Sequence, residues 1–337
     1  MTIRSCWVIT DGTPGMENQC LGLAESLDVE PVVKRVALRS PWRQLTPYLR
    51  IGLRHAVGPT GDSIMPPWPD LVIASGRRSI APALAVKRAS AGRTFLVQIQ
   101  NPVISPRHFD LVVVPRHDQV RGENVLTTKG SIHRVTPDRL AAESARHAGR
   151  LAKLPTPRLA VLIGGDNAVF HLTPVLMGDV AEKLARLAQH QGIGLMVTPS
   201  RRTGADNEAI LRARLRDLPV EIWDGTGDNP YFAYLGLADA IVATGDSVNM
   251  VSEAASTGKP LYIIDLDGGS AKFRAFHDGL RADGITRPFD GELEHWDYLP
   301  LDDTARVVAE VRRRLAGRAV HQGLESRQMA PVAGERS

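Results

Sequence analysis

The stretch from Thr244 to Pro260 carries the residue types of a phosphate and ribose site. It reads Thr244-Gly245-Asp246-Ser247-Val248-Asn249-Met250-Val251-Ser252-Glu253-Ala254-Ala255-Ser256-Thr257-Gly258-Lys259-Pro260, between apolar runs at 240–243 and 261–264. A small-residue turn between a strand and a helix aims unpaired helix N–H groups beyond the sheet's carboxyl edge. Those donors and the helix dipole suit a phosphate. Glu253 follows Ser247 by six residues. One to two turns along the helix, a carboxylate can accept from paired ribose hydroxyls while a diphosphate sits at the turn. The plainer use of the same residues is helix capping by Asp246 and Ser247, with Glu253 exposed.

The elements that must position this stretch follow from apolar runs and turn residues. Strands are expected over 6–10, 70–74, 95–99 and 111–114, with helices over 17–27 and 80–89. A strand–turn–helix rhythm of this kind predicts a mostly parallel sheet. Pro155 and Pro157 interrupt any helix and read as a linker. A second unit then opens with a strand at 159–163, the turn Gly164-Gly165-Asp166-Asn167 and an amphipathic helix over 175–189. Further strands are expected at 194–198, 220–223, 240–244 and 261–264. The fold class is therefore α/β, with two successive Rossmann-like domains. The expected division is 1–154 for the first domain, 155–290 for the second, 291–316 for a closing helical segment and 317–337 for a flexible tail.

Composition narrows the function. With 337 residues, 43% hydrophobic and 23% charged, the chain suits a soluble protein of two domains. No apolar run reaches the roughly 18–20 residues of a membrane span. The N-terminal residues lack a secretory leader pattern, so a cytoplasmic location is expected. Two cysteines cannot make a disulfide framework, and ten scattered histidines offer no zinc spacing. Asp265 and Asp267 after a strand are the sole carboxylate pair considered for a cation, and no metal is expected. GxSxG, Walker and strict GxGxxG patterns are missing. A net charge of +4 is too mild to argue for nucleic acid. Between Pro31 and Gly61, however, lie Lys34, Arg35, Arg39, Arg43, Arg50 and Arg54, interleaved with Trp42, Tyr48 and aliphatic residues, and no carboxylate. Residues 31–61 can lie on an anionic membrane surface, peripheral to an inner membrane. The alternative is an Arg-rich loop and helix packed on the domain.

The Thr244–Pro260 stretch resembles the donor segment of GT-B glycosyltransferases and of non-hydrolysing UDP-sugar epimerases. Asn249 and Glu253 match the Asn and Glu of the plant-type donor box, with Ser247-Val248 where that box has Gly-Trp. The Gly164-Gly165-Asp166-Asn167 turn resembles the one that opens the second domain of the lipid-linked peptidoglycan transferase. The segment from Asp11 to Leu27 resembles that enzyme's N-terminal glycine loop without its Gly-Gly-His. The chain as a whole resembles the Elm ("elongated mitochondria") family, which has many bacterial members. The resemblance rests on Asp11-Gly12 through Gly15-Met16-Glu17-Asn18-Gln19-Cys20, Ser75-Gly76-Arg77-Arg78-Ser79, Gln98-Ile99-Gln100-Asn101-Pro102 and Pro115-Arg116-His117-Asp118. It continues through Gly164–Asn167, Thr198-Pro199-Ser200-Arg201-Arg202-Thr203 and Gly227-Asp228-Asn229-Pro230-Tyr231 to the Glu253 box.

That family implies a GT-B-like arrangement, two Rossmann-like domains facing a central cleft with a C-terminal helix closing the fold. Within that frame, Arg201 and Arg202 face the same edge as the Glu253 helix. Two guanidinium forks can neutralise a leaving diphosphate without a metal. The donor side would comprise Gly164, Gly165, Asp166, Asn167, Ser200, Arg201, Arg202, Thr244, Ser247, Asn249 and Glu253. The acceptor side would comprise Gly12, Gly15, Asn18, Gln19, Arg77, Arg78, Gln100 and Asn101. Asp11, Glu17 and His117 are candidates for the base that deprotonates the acceptor hydroxyl. Asp11 can equally cap a helix, and Glu17 can favour its N-terminus.

The leading expectation is a glycosyltransferase using a nucleotide-diphosphate sugar as substrate, with no cofactor and no bound metal, acting on a membrane-associated saccharide or lipid. A non-catalytic adaptor that recruits a partner protein to a membrane is the first alternative. A nucleotide-sugar epimerase ranks below it for want of a paired acid and base.

Overall fold

A computed structural model of the chain describes residues 3–49 and 51–328. Arg50 and residues 329–337 lie outside the described residues, as does the side chain of Arg54. The chain divides into two compact units, one of residues 1–128 with 303–337 and one of residues 129–302.

The first unit is built on β1 (Cys6–Thr10), α1 (Pro14–Ser26), β2 (Pro31–Arg35), the short α2 (Trp42–Leu45), β3 (Leu71–Ser75), α3 (Ile80–Ala89), β4 (Phe95–Ile99), β5 (Leu111–Pro115) and β6 (Val125–Thr128). Its six strands lie in the order β2-β1-β3-β4-β5-β6, and every pair is parallel. Strands covered on both faces are mainly apolar, and β1 and β3 are buried at all five positions, with Thr10 and Ser75 as their only polar residues. The edge strand β2, with its Lys34 and Arg35, is only partly buried and carries no such run. Sheet order reverses between β1 and β3, and that point opens a crevice at the strands' carboxyl ends.

The second unit holds α4 (Pro137–Leu151), β7 (Arg158–Ile163), β8 (Phe170–His171), α5 (Pro174–Gln191), β9 (Gly194–Pro199), α6 (Ala205–Leu215), β10 (Val220–Ile222), α7 (Tyr231–Leu237), β11 (Ala240–Thr244), α8 (Val248–Ala255), β12 (Leu261–Ile264), β13 (Asp267–Gly268), α9 (Ala271–Ala282) and β14 (Thr286–Pro288). The order β10-β9-β7-β11-β12-β14 is, counted along the unit, the 3-2-1-4-5-6 order of dinucleotide-binding folds. All of these pairs are parallel. One core layer packs Leu184, Leu187 and Leu211 against the sheet, and the other packs Tyr234, Leu235 and Val251.

The expected boundary at 154/155 moves to 128/129. Helix α4 belongs to the second unit because Leu151 and Leu154 are buried in the same cluster as Tyr234 and Leu235. Arg150 is also paired with Glu221, and Arg146 with Asp228. The two prolines thus sit inside a unit instead of linking two. The closing segment is corrected as well. Residues 291–302 stay with the second unit, where Trp296 Nε1 donates to the Gly284 carbonyl at 3.0 Å. The last helix, α10, runs Asp303–Gln328, well into the stretch expected to be a tail. It belongs to the first unit, where Arg312 pairs with Asp28 at 2.8 Å and Arg314 Nη2 donates to the Glu123 carbonyl at 2.6 Å.

Candidate functional site

In the second unit three turns meet where the sheet order reverses, at the carboxyl ends of β7, β9 and β11. The first is Gly164-Gly165-Asp166-Asn167. Its leading N–H, from Gly164, donates to Thr244 Oγ1 at 2.7 Å, and the same hydroxyl donates to Asp246 Oδ1 at 2.6 Å. A Cβ on Gly164 would lie 2.1 Å from Asp246 Oδ1. Gly165 has φ +144°, and a Cβ there would lie 2.0 Å from the Arg202 carbonyl oxygen. No side chain fits at either position.

The second turn, after β9, is stitched to the first. Ser200 Oγ and Thr203 Oγ1 both donate to the Gly164 carbonyl, at 2.9 and 2.7 Å. Asp166 N donates to Arg202 O at 3.0 Å. The Arg202 guanidinium lies 2.5 Å from Asp246 Oδ2, whose side chain is fully buried while Arg202 keeps 39% exposure. Arg201 beside it is exposed.

The third turn, Gly245-Asp246-Ser247, starts α8. Ser247 caps the helix by accepting from Met250 N at 3.3 Å. Glu253 stands on this helix, and Tyr231 at the start of α7 donates its phenol to Glu253 Oε2 at 2.6 Å. Burial pushes the Glu253 carboxyl up to about 7, opposed by the Tyr231 bond and by Arg134. Burial also raises the Tyr231 phenol well above its ordinary value. Beneath the turn, His277 Nε2 meets the Gly245 carbonyl at 2.8 Å, and burial lowers its pKa, so the neutral ring donates there.

Several expected donor residues are taken up by the turns themselves. Asp166 Oδ1 accepts from Leu172 N at 2.7 Å. Asn167 bridges Val169 N, Phe170 N and the Asp246 carbonyl. Ser200 and Thr244 serve as struts, and Asn249 sits in the first turn of α8. Three residues outside the expected set, Asp246, Tyr231 and His277, complete the cluster. Asp246 had a sequence signal only as a possible helix cap and Tyr231 only as the aromatic closing Gly227-Asp228-Asn229-Pro230-Tyr231, while His277 had none.

Of the residues expected in the first unit, Asp11 after β1 and Arg78 after β3 meet at its own reversal point, and those after β4 and β5 lie elsewhere in the unit. Asp11 Oδ1 accepts from Thr13 N at 3.2 Å and Thr13 Oγ1 at 2.7 Å, and Arg78 lies 3.5 Å from Oδ2. Glu17 is gripped by both arms of Arg35, at 2.9 and 2.6 Å. Gly12 has φ +85° in the turn after β1, while Gly15, Asn18 and Gln19 lie on α1. Arg77 turns away toward Thr46, donating to its carbonyl at 2.6 Å, with the Tyr48 ring 5.9 Å away. Gln100 follows β4 with φ +73°, and Asn101 Oδ1 accepts from Val103 N at 2.8 Å. His117 is half-buried in the loop after β5. Among the described residues no group of three or more His, Cys, Asp or Glu could hold a metal ion. Nor is any described helix long and apolar enough to cross a membrane.

Two six-stranded parallel sheets, each with its reversal point at the carboxyl edge, define a GT-B-like α/β protein. Its solved neighbours include the UDP-GlcNAc 2-epimerase from Methanocaldococcus jannaschii, at 9% identity over 91% of this chain and 92% of that one, with a TM-score of 0.51. At that identity the likeness is one of fold. The family model described as "Mitochondrial fission ELM1" matches residues 14–315, and the chain belongs to that family. The mitochondrial fission protein ELM1 of Arabidopsis thaliana is 32% identical over 277 residues, which span 74% of this chain and 65% of the plant protein. The chain therefore covers just under two thirds of that relative's length. An uncharacterised protein of Rickettsia prowazekii is 27% identical over 350 residues, 90% of this chain and 96% of its own.

Proposed function

We propose that the chain is a glycosyltransferase that takes a nucleotide-diphosphate sugar on its second unit and an acceptor hydroxyl on its first. The observation that supports this most is the arrangement at the β7/β11 reversal point. A Ser247-capped helix start faces a glycine turn that admits no side chain, and Glu253 stands further along the same helix. The diphosphate sits at the start of α8, and Glu253 accepts from the ribose. Arg201, which is exposed, meets the diphosphate charge, while Arg202 holds Asp246. In the reaction the acceptor oxygen forms a bond to the anomeric carbon as the bond to the diphosphate breaks. The leaving diphosphate takes the electron pair, and the acceptor's proton passes to a base on the first unit, for which Asp11, Glu17 and His117 are the candidates.

The acceptor in this reading is a saccharide or lipid at a membrane surface. Within 31–61, Lys34 lies over the Trp7 ring, Arg35 is held by Glu17 and Arg39 donates to the His55 carbonyl, so these three serve the fold. Arg43 remains exposed beside Leu45, Tyr48 and Ile51, which are 50%, 62% and 81% exposed. That patch also favours the second reading, a non-catalytic adaptor that brings a partner to a membrane.

Thermal shift with UDP-, GDP-, ADP-, CMP- and TDP-sugars separates the two. Ligand at about 100 times its Kd stabilises by roughly 2.7 kcal/mol. A shift with one nucleotide that Glu253→Ala abolishes supports the transferase and names its donor class. No shift with any of them, on folded protein, moves the reading to the adaptor.

A further inference from the structure

We propose that Tyr231 is a positioning residue for the nucleotide, holding Glu253 so that one carboxylate oxygen is fixed by the protein and the other is presented to the ribose. This rests on the donor-site reading above and adds the residue that makes Glu253 competent.

The geometry carries it. Tyr231 is the first residue of α7, set there by Asn229, whose side-chain oxygen accepts from Tyr231 N at 3.0 Å. Its ring packs edge-on against Phe232 at 5.5 Å, and Arg139 lies 5.1 Å above the Phe232 ring. The phenol is thus held from behind and has little freedom to swing. Its hydroxyl donates to Glu253 Oε2 at 2.6 Å, so Tyr231 engages one oxygen of the carboxylate and not the other. A glutamate with three free torsions is a poor receptor for a diol unless something removes those torsions in advance, and ordering one such side chain costs up to about tenfold in affinity. A bond from a neutral phenol also favours the ionised carboxyl, the form that accepts from ribose hydroxyls. The other group that bears on Glu253 is Arg134, whose positive charge acts in the same direction.

The consequence has a definite sign. Ribonucleotide affinity is retained above about pH 7 and lost as the pH falls through the Glu253 titration. Without the Tyr231 hydroxyl that titration moves upward, so affinity is lost at a higher pH. A ligand lacking one ribose hydroxyl gains less from Glu253 and is less sensitive to Tyr231.

The test is titration calorimetry of the full chain with the nucleoside diphosphate that stabilises it, from pH 5.5 to 8.5, for wild type, Tyr231→Phe and Glu253→Gln. Thermal unfolding of each variant establishes that it is folded. The expected result for Tyr231→Phe is a loss of about three- to tenfold at pH 8 and an upward move of the pH at which half the affinity is gone. Glu253→Gln should bind weakly with no such dependence. Unchanged affinity and an unchanged pH profile in Tyr231→Phe overturn the proposal and leave Tyr231 as packing. Tighter binding overturns it too, because Tyr231 then competes with the ribose. Wild type that binds no nucleoside diphosphate at any pH overturns the donor-site reading itself, a different result from a wild type that binds and a Phe variant that binds equally well.

Discussion

Arg202 and Asp246, 44 positions apart in the chain, form an ion pair of 2.5 Å in which the carboxylate is wholly buried. Asp246 also accepts from Thr244 Oγ1, and that hydroxyl in turn accepts from Gly164 N. One carboxylate thereby ties together the turns after β7, β9 and β11. Replacing Arg202 with Ala leaves Asp246 buried without its cation. The cost should be about 2–3 kcal/mol, less than the 3–5 of a fully buried pair because Arg202 is partly in water. Urea unfolding of Arg202→Ala, Asp246→Asn and the double variant checks this. The double variant should recover part of the loss, and strict additivity would show that the two do not act as a pair.

The glycine turn makes a sharper prediction. Gly165→Ala must displace the Arg202 carbonyl, a backbone atom that cannot swing aside, and should destabilise by about 3 kcal/mol or more. Gly178 lies inside α5 with open space around its Cβ position. Gly178→Ala should therefore stabilise by about 0.5–1 kcal/mol. Thermal unfolding of both variants side by side reads out the contrast.

Glu253 should weaken the fold that it serves. Its carboxyl titrates near 7 in the folded chain, above its ordinary value of 4.5, so the folded state holds its proton more tightly than the unfolded state does. The stability contributed by the protonated form is full below about pH 4.5 and is lost as pH rises through about 7. Glu253→Gln keeps an oxygen for the Tyr231 hydroxyl and carries no charge. It should match wild type near pH 4.5 and exceed it by on the order of 1–3 kcal/mol at pH 8. Equal stability at both pH values would show that the carboxylate is not strained by its surroundings.

His277 titrates the other way. Burial lowers its pKa below 6.5, so the unfolded chain takes up the proton first. Its contribution is complete above about pH 6.5 and is lost as the pH falls toward the lower folded value. His277→Gln should flatten the stability profile on the acid side of pH 6.5, measured as the urea midpoint against pH. A slope there equal to that of wild type would remove His277 as its origin.

The Leu45, Tyr48 and Ile51 patch predicts binding to anionic vesicles. Cosedimentation with phosphatidylglycerol vesicles should fall by about tenfold in Leu45→Asp/Ile51→Asp and should weaken with salt. Retention equal to that of wild type would leave the patch without a membrane role.

Much of the sheet was legible from residues alone. β1, β3, β4, β5, β7, β9, β11 and β12 are short runs buried on both faces, and such runs are mainly apolar, with only scattered polar residues such as Thr10 and Gln98. β2 and β6 escaped because they lie at edges, where Lys34 and Arg35 or Thr127 and Thr128 are tolerated. The division between the units was misplaced for a related reason. Pro155 and Pro157 mark a break in local structure, whereas a boundary between units is set by packing, and Leu151 and Leu154 pack with Tyr234.

The sequence by itself determined the α/β class, the family, the small-residue turn at Gly245–Ser247 and the helix that carries Glu253. These depend on local chemistry: turn residues, a cap and helical spacing. Only the tertiary structure decided which of the adjacent arginines would be neutralised, that Tyr231 would meet Glu253 and that His277 would support Gly245. Each of those pairs lies 22 to 44 residues apart. They meet because strand order brings β7, β9 and β11 side by side and sets α7 and α9 against the turns. Sheet order is chosen by the packing of the whole core, which no single segment encodes.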